Sequence, residues 1–119
     1  MKENVLKDKS FRFAVRIVNL YKFLCDQKRE FVLSKQALRC GTSVGAMVRE
    51  AEHSESKADF VHKMAIAQKE INETIYWLEL LKATDYLTSE SFLSLNNDAV
   101  ELIKLITTTI KTAKSDINH

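Results

Sequence analysis

The 119-residue sequence carries no proline and two glycines, Gly41 and Gly45, where average usage gives about eight glycines and about six prolines. That deficit removes the turn chemistry of β-sandwiches, barrels and hairpin-rich folds, together with flexible linkers and Gly-rich phosphate loops. A net charge of +2 with 45% hydrophobic and 29% charged residues describes a chain with a core and excludes a disordered one, and the length suits one all-α domain over 1–119.

The first helix is predicted over about 8–27. Leu6, Phe13, Ile17, Leu20, Tyr21 and Leu24 recur at three- and four-residue steps and define one buried face. A second apolar set, Phe11, Ala14, Val15, Val18 and Cys25, lies on another side of the same cylinder. Lys9, Arg12 and Arg16 fall on one line between the two. A helix of a monomeric bundle needs one apolar stripe, so the second set is a candidate oligomer interface.

The second helix is predicted over about 34–53, with Ser34 as its N-cap and the stripe Ala37, Cys40, Gly41, Val44, Val48 and Ala51. Gly41 and Gly45 form a Gly-x-x-x-Gly pair on its flank. Each costs about 1 kcal/mol relative to alanine in a helix. The apolar period runs through both, which favours close approach of another helix over a phosphate-cradling break.

Ser56 and Asp59 make an S-x-x-D start for the third helix, about 56–83. Phe60, Met64, Ala67, Ile71, Ile75 and Leu78 follow as a continuous stripe, with Thr74, Trp77 and Leu81 extending it sideways. The run Ile75-Tyr76-Trp77-Leu78-Glu79-Leu80-Leu81 is apolar nearly all round. One copy of a four-helix chain cannot easily bury such a segment, so Tyr76, Trp77 and Leu80 join Phe11, Val15 and Val18 as interface candidates.

Thr88 or Ser89 caps a fourth helix over about 89–114, whose face is lined by Phe92, Leu95, Ala99, Leu102, Ile103, Ile106, Ile110 and Ala113. Lys111 and Lys114 suit the negative helix end, and the tail 116–119 is expected to fray. Short connectors make consecutive helices antiparallel, giving an up-down-up-down four-helix bundle.

Charge is distributed unevenly. Through Arg39 there are ten Lys/Arg against four Asp/Glu, a balance of +6; from Cys40 to Glu101 there are five against eleven, a balance of −6. Lys9, Arg12 and Arg16, with Lys28, Arg29, Lys35 and Arg39 around the first connector, are therefore the candidate nucleic-acid contacts through backbone phosphates. A solvated face laced with salt bridges is the competing reading of the same residues.

Candidate chemistry is sparse. Glu50-x-x-His53 and Asp59-x-x-His62 have the spacing of di-iron bundle ligands, yet they flank one short turn, His53 points away from the stripe, and helices one and four offer no inward glutamate. Cys40 and Ser43 lack a histidine at neighbour spacing. Glu70 and Glu73 have paired-carboxylate spacing but lie on the stripe's rim, where salt bridges are usual. Cys25 and Cys40 are too few for a disulfide framework and are expected as free thiols. No secretory h-region or apolar run of membrane length occurs, so the expected setting is cytoplasmic, with no enzyme activity, no cofactor, no metal and no membrane partner.

The stretch Leu38-Arg39-Cys40-Gly41-Thr42-Ser43-Val44-Gly45-Ala46, followed by Glu50-Ala51, resembles the second-helix motif of the bacterial four helix bundle protein family, first noticed as reading frames in intervening sequences of 23S ribosomal RNA genes. Asp59-Phe60, Ala67, Lys69-Glu70, Glu73-Thr74 and Tyr76-Trp77-Leu78-Glu79-Leu80-Leu81 are similar to that family's third helix. Met47 departs from the pattern, standing where the family often has asparagine. The resemblance implies a homopentameric ring. It also implies kinship with the accessory variability proteins of diversity-generating retroelements, basic pentameric barrels that bind nucleic acid and a reverse transcriptase. It carries no catalytic residues. The expected partners are thus further copies of the chain, and RNA, DNA or a nucleic-acid enzyme; the alternatives are a scaffold or adapter that binds no nucleic acid and, more remotely, a metal-dependent bundle enzyme.

Overall fold

The computed structural model describes the backbone of residues 2–117 and the side chains of residues 5–116. Four helices account for nearly all of it: α1 (Lys2–Lys28), α2 (Leu33–Ala51), α3 (Lys57–Ala83) and α4 (Ser89–Ile117). No strand occurs among the described residues. Each helix packs on its neighbour in the chain and α4 returns to α1, so α1 and α3 stand on one diagonal and α2 and α4 on the other. The body measures 51 × 22 × 20 Å.

Paired side chains fix the antiparallel register. Ser10 and Ile17 of α1 face Gly45 and Gly41 of α2. Glu50 and Arg39 of α2 reach Lys63 and Glu70 of α3. Gln68 donates to Thr107 of α4 at 2.9 Å, while Lys57 pairs with Asp116 near its end. Lys9 and Arg16 meet Glu101 and Asp98. In every pair of helices one number rises as the other falls, the up-down-up-down order of a four-helix bundle.

The predicted stripes make the core. Leu6, Phe13, Ile17 and Leu24 from α1 meet Val44 and Val48, Met64, Ile71 and Leu78, and Leu102 and Ile106, all at most 2% exposed. Both glycines are helical and neither has a positive φ, so they serve contact and not turning. A Cβ on Gly41 would lie 2.8 Å from Cγ1 of Ile17, and one on Gly45 would lie 3.3 Å from the Ser10 carbonyl oxygen. This is the close helix approach read from their spacing.

Two turns need a left-handed residue and use a side chain instead of glycine: Arg29 (φ 53) after α1 and Asp85 (φ 69) after α3. At the second, the Tyr86 amide donates to Leu81 at 2.9 Å and the Asp85 amide to Lys82 at 3.1 Å, a Schellman closure. Glycine scarcity therefore did not remove tight helix ends.

Four boundary readings are corrected. α1 starts at Lys2 instead of near residue 8, since no breaker precedes Leu6, whose buried side chain carries the stripe a turn further. α2 starts at Leu33, and Ser34 is not its cap; its hydroxyl is buried and donates to the Glu30 carbonyl at 2.9 Å. The capping oxygens come from Glu30, which accepts the amides of Val32, Leu33 and Ser34 at 3.0, 2.9 and 2.7 Å. α2 ends at Ala51, two residues early, and α4 continues to Ile117 beyond residue 114. Asp116 of the expected frayed tail is helical and paired with Lys57; Asn118 and His119 lie outside the described residues.

The other caps follow the sequence. Ser56 accepts the Asp59 amide at 3.0 Å, and Asp59 accepts the Glu55 amide at 3.2 Å. Thr88 accepts the Ser91 amide at 3.0 Å, which makes it the α4 cap. No described helix is long and apolar enough to cross a membrane.

Candidate functional site

The basic row on α1 lies along the flank that faces α4, because Lys9 and Arg16 are two helical turns apart. α4 brings acceptors to the same flank. Lys9 Nζ lies 3.1 Å from Glu101, and Arg16 lies 2.7 Å from Asp98 while donating to the Ser94 carbonyl at 3.2 Å and Ser94 Oγ at 2.9 Å. Arg12, between them, pairs with Asp8 one turn back at 3.0 Å. All three cations are therefore engaged by carboxylates, and Lys9 and Arg16 stitch the α1–α4 seam. The pairs are exposed enough that solvent screens most of their attraction.

Arg39 is engaged in the same way across the α2–α3 seam. Its guanidinium contacts Glu73 closely and lies 3.7 Å from Glu70. Glu73 also accepts the Trp77 indole N–H at 3.0 Å. The indole donor, with the Arg39 guanidinium, holds the Glu73 carboxyl below the usual carboxylate range against the opposing effect of burial. A carboxylate kept ionised by two donors is a poor general acid. The Glu70 and Glu73 pair acts as an interhelical bridge that fixes the Trp77 ring, and Tyr76 packs edge-on against it at 5.1 Å.

The remaining three predicted cations gather at the α1–α2 turn. Lys28 lies over the Phe23 ring at 5.9 Å and Arg29 over the Phe31 ring at 5.9 Å, while Lys35 is exposed on the first turns of α2. Among the described residues none of the three has a carboxylate within ion-pair distance. Phe31 and Val32 are 54% and 71% exposed beside them. The structure thus separates the seven predicted cations into four neutralised ones on the helix flanks and three at one end of the bundle.

The interface candidates also divide. Phe11 (53%), Val15 (45%) and Tyr76 (56%) are exposed, whereas Val18, Trp77 and Leu80 are half-buried. Arg49 of α2 lies over Phe11 at 5.3 Å. The α1 set faces outward beside α2, and the α3 set stands on the diagonally opposed helix.

The reactive candidates are occupied by local bonds. Cys40 is buried, its Sγ donates to the Gln36 carbonyl at 3.1 Å, and burial pushes its thiol up from the ordinary range. Ser43 donates to the Arg39 carbonyl at 2.7 Å. His53 and His62 are both exposed, Glu50 pairs with Lys63, and no three described His, Cys, Asp or Glu residues converge as metal ligands. Among the described residues, grooves indent the surface at both ends of the bundle. One of about 520 Å³ lies between α1 and α4 beside Arg16 and Phe23; one of about 760 Å³ lies at the opposite end over Val48, Phe60 and Met64.

The sequence reading missed Glu30 as a cap, Ser94 and Asp98 as partners of Arg16, and Phe23 and Phe31 as companions of the free cations. A signal existed for Asp98 and Glu101, which flank the α4 stripe three residues apart just as the basic row flanks α1. No local signal marks Glu30, whose role depends on the turn's path.

The family model of the 23S rRNA-intervening sequence protein matches residues 2–108. The chain belongs to this family. A crystal structure of a protein of unknown function from the S23 ribosomal protein family of Bacteroides thetaiotaomicron is similar to it at 61% identity with a TM-score of 0.93. That match covers 93% of this chain and 99% of the Bacteroides chain. No curated protein matches. Membership of the 23S rRNA-intervening sequence protein family agrees with the resemblance read from the second and third helices, and brings with it no established activity.

Proposed function

We propose that this member of the 23S rRNA-intervening sequence protein family is a cytoplasmic, non-enzymatic homo-oligomer, pentameric as the family resemblance implies. Its basic surface, drawn from Lys9, Arg12, Arg16, Lys28, Arg29, Lys35 and Arg39, binds nucleic acid or a nucleic-acid enzyme. The observation that carries the reading is the exposure of Phe11 and Val15 on α1 and Tyr76 on α3, two apolar sets on diagonally opposed helices. Two different apolar faces on one copy favour a head-to-tail contact, which closes into a ring when the rotation allows. A cation accompanies the α1 set, where Arg49 lies over Phe11. The placement of the Bacteroides relative in a ribosomal protein family supports a nucleic-acid partner.

Native mass spectrometry and light scattering test the assembly. Wild type is expected as one closed oligomer, and Phe11→Glu or Tyr76→Glu as a folded monomer; a monomeric wild type would overturn the reading. Salt-sensitive retention of RNA or DNA tests the binding half. The second reading, an adapter that binds no nucleic acid, is favoured by the pairing of Lys9, Arg12, Arg16 and Arg39 with carboxylates. It predicts an intact oligomer with no such retention.

A further inference from the structure

We infer that the α1–α2 turn is a docking site for single-stranded nucleic acid, in which Phe23 and Phe31 stack bases while Lys28, Arg29 and Lys35 contact the phosphates. This rests on the nucleic-acid reading above and moves its centre from the α1 row to one end of the bundle.

The turn's geometry places the groups together. Arg29 sits in the left-handed region, φ 53, so the chain reverses between two consecutive cations. Lys28 folds back along α1 over Phe23, and Arg29 goes forward over Phe31, at 5.9 Å each. Two ring-and-cation pairs are therefore carried by consecutive residues, joined through one peptide bond. Glycine is the low-cost residue at such a position. The chain carries instead a side chain with five N–H donors, presented where the Glu30 amide closes the helix end by donating to the Leu24 carbonyl at 3.0 Å.

Charge complementarity selects the occupant. Lys28, Arg29 and Lys35 have no carboxylate within ion-pair distance among the described residues, whereas Lys9, Arg12, Arg16 and Arg39 are all neutralised. The carboxylate inside the turn, Glu30, is 8% exposed and accepts three backbone amides, so it is turned away from any ligand. Asp26, the acid nearest in sequence outside the turn, makes no ion pair with these cations among the described residues. Exposed aromatic rings interleaved with unpaired cations are the surface that binds single strands: every base has a face to stack, and each phosphate meets a cation. A duplex buries its base faces and offers the phenylalanines nothing.

Fluorescence anisotropy on the intact protein decides the matter, with labelled oligo(U) and oligo(dT) of about 20 nucleotides, a duplex of equal length, and phosphatidylcholine–phosphatidylglycerol vesicles. Wild type is expected to prefer the single strands. Phe23→Ala and Phe31→Ala should each weaken binding at least about five-fold. Lys28→Gln and Lys35→Gln should each flatten the salt dependence by about 0.7 in the log–log slope. Arg29→Gly separates binding from folding, since relief of the left-handed strain should hold or raise Tm while affinity falls. Lys9→Gln with Arg12→Gln should change binding less than any turn variant. Preference for the duplex, or full binding by the turn variants with loss in the Lys9/Arg12 variant, would overturn this site and leave the nucleic-acid function standing. A wild type that binds no oligonucleotide would overturn both. Vesicle binding lost in the turn variants, with no oligonucleotide bound, would reassign the patch to an anionic membrane surface.

Discussion

Gly41 lies so close to Ile17 that a Cβ on the glycine would fall 2.8 and 2.9 Å from the two γ-carbons of the isoleucine. Both γ-carbons sit next to the α1 backbone on a β-branched side chain with few alternative rotamers, and Ile17 is fully buried. The contact sets the distance between α1 and α2. Gly41→Ala gains about 1 kcal/mol of helix propensity and meets an overpacking cost of about 1–3 kcal/mol. A net loss of stability in urea denaturation is expected. On an Ile17→Ala background the same change should become neutral or stabilising, and a double-mutant cycle measures that coupling.

Glu30 caps α2 with its carboxylate, so stability should depend on its ionisation. Burial opposes the charge, but the amides of Leu33, Ser34 and Val32 outweigh it and lower the pKa. A carboxyl whose folded pKa lies below its unfolded value adds stability above the unfolded pKa, about 4.3. It loses that contribution as pH falls through the folded one. Glu30→Gln is expected to cost about 1 kcal/mol at neutral pH. The gap between variant and wild type should close in acid, below about pH 4, when thermal unfolding is followed across pH.

Asp85 occupies the left-handed position of the α3 closure at φ 69. An L-residue there costs about 1–2 kcal/mol relative to glycine, and aspartate tolerates it better than most. Asp85→Gly should therefore raise stability by up to about 1 kcal/mol, read as a higher urea midpoint at unchanged slope. A lower midpoint would mean that the Asp85 side chain makes a contact worth more than the strain.

Arg16 holds Asp98 and Ser94 on α4, yet both charged side chains are more than a third exposed. Asp98→Asn should cost less than about 1 kcal/mol. The loss should shrink further in about 1 M salt, where screening acts within about 3 Å. Thermal melts at low and high salt check this, and a salt-independent loss would point to the hydrogen bonds instead of the charge.

The helical reading reached far because its signals are local. Leu6 to Leu24 on α1 and Phe92 to Ala113 on α4 show three- and four-residue periods that only a helix can bury on one side. Gly41 and Gly45 stood on a flank where only a neighbouring helix explains their cost. Boundaries were less legible. Ser34 has the right chemistry for an N-cap, but Glu30, four residues earlier, folds back and takes the amides first, and the amide hydrogens can serve only one acceptor set well. The basic row was legible as a row and not as a set of pairs. Nothing within α1 announces that Asp98 and Glu101 will stand opposite, since those residues are more than eighty positions away.

The sequence by itself determined four amphipathic helices, their order, the seam marked by the glycine pair and the surplus of apolar surface on α1 and α3, because spacing along a helix dictates which side chains share a face. The tertiary structure decided which charges remain available. Ion pairing depends on the register between antiparallel helices, and that register neutralises Lys9, Arg16 and Arg39 against α4 and α3 while leaving Lys28, Arg29 and Lys35 beside two exposed phenylalanines at the α1–α2 turn.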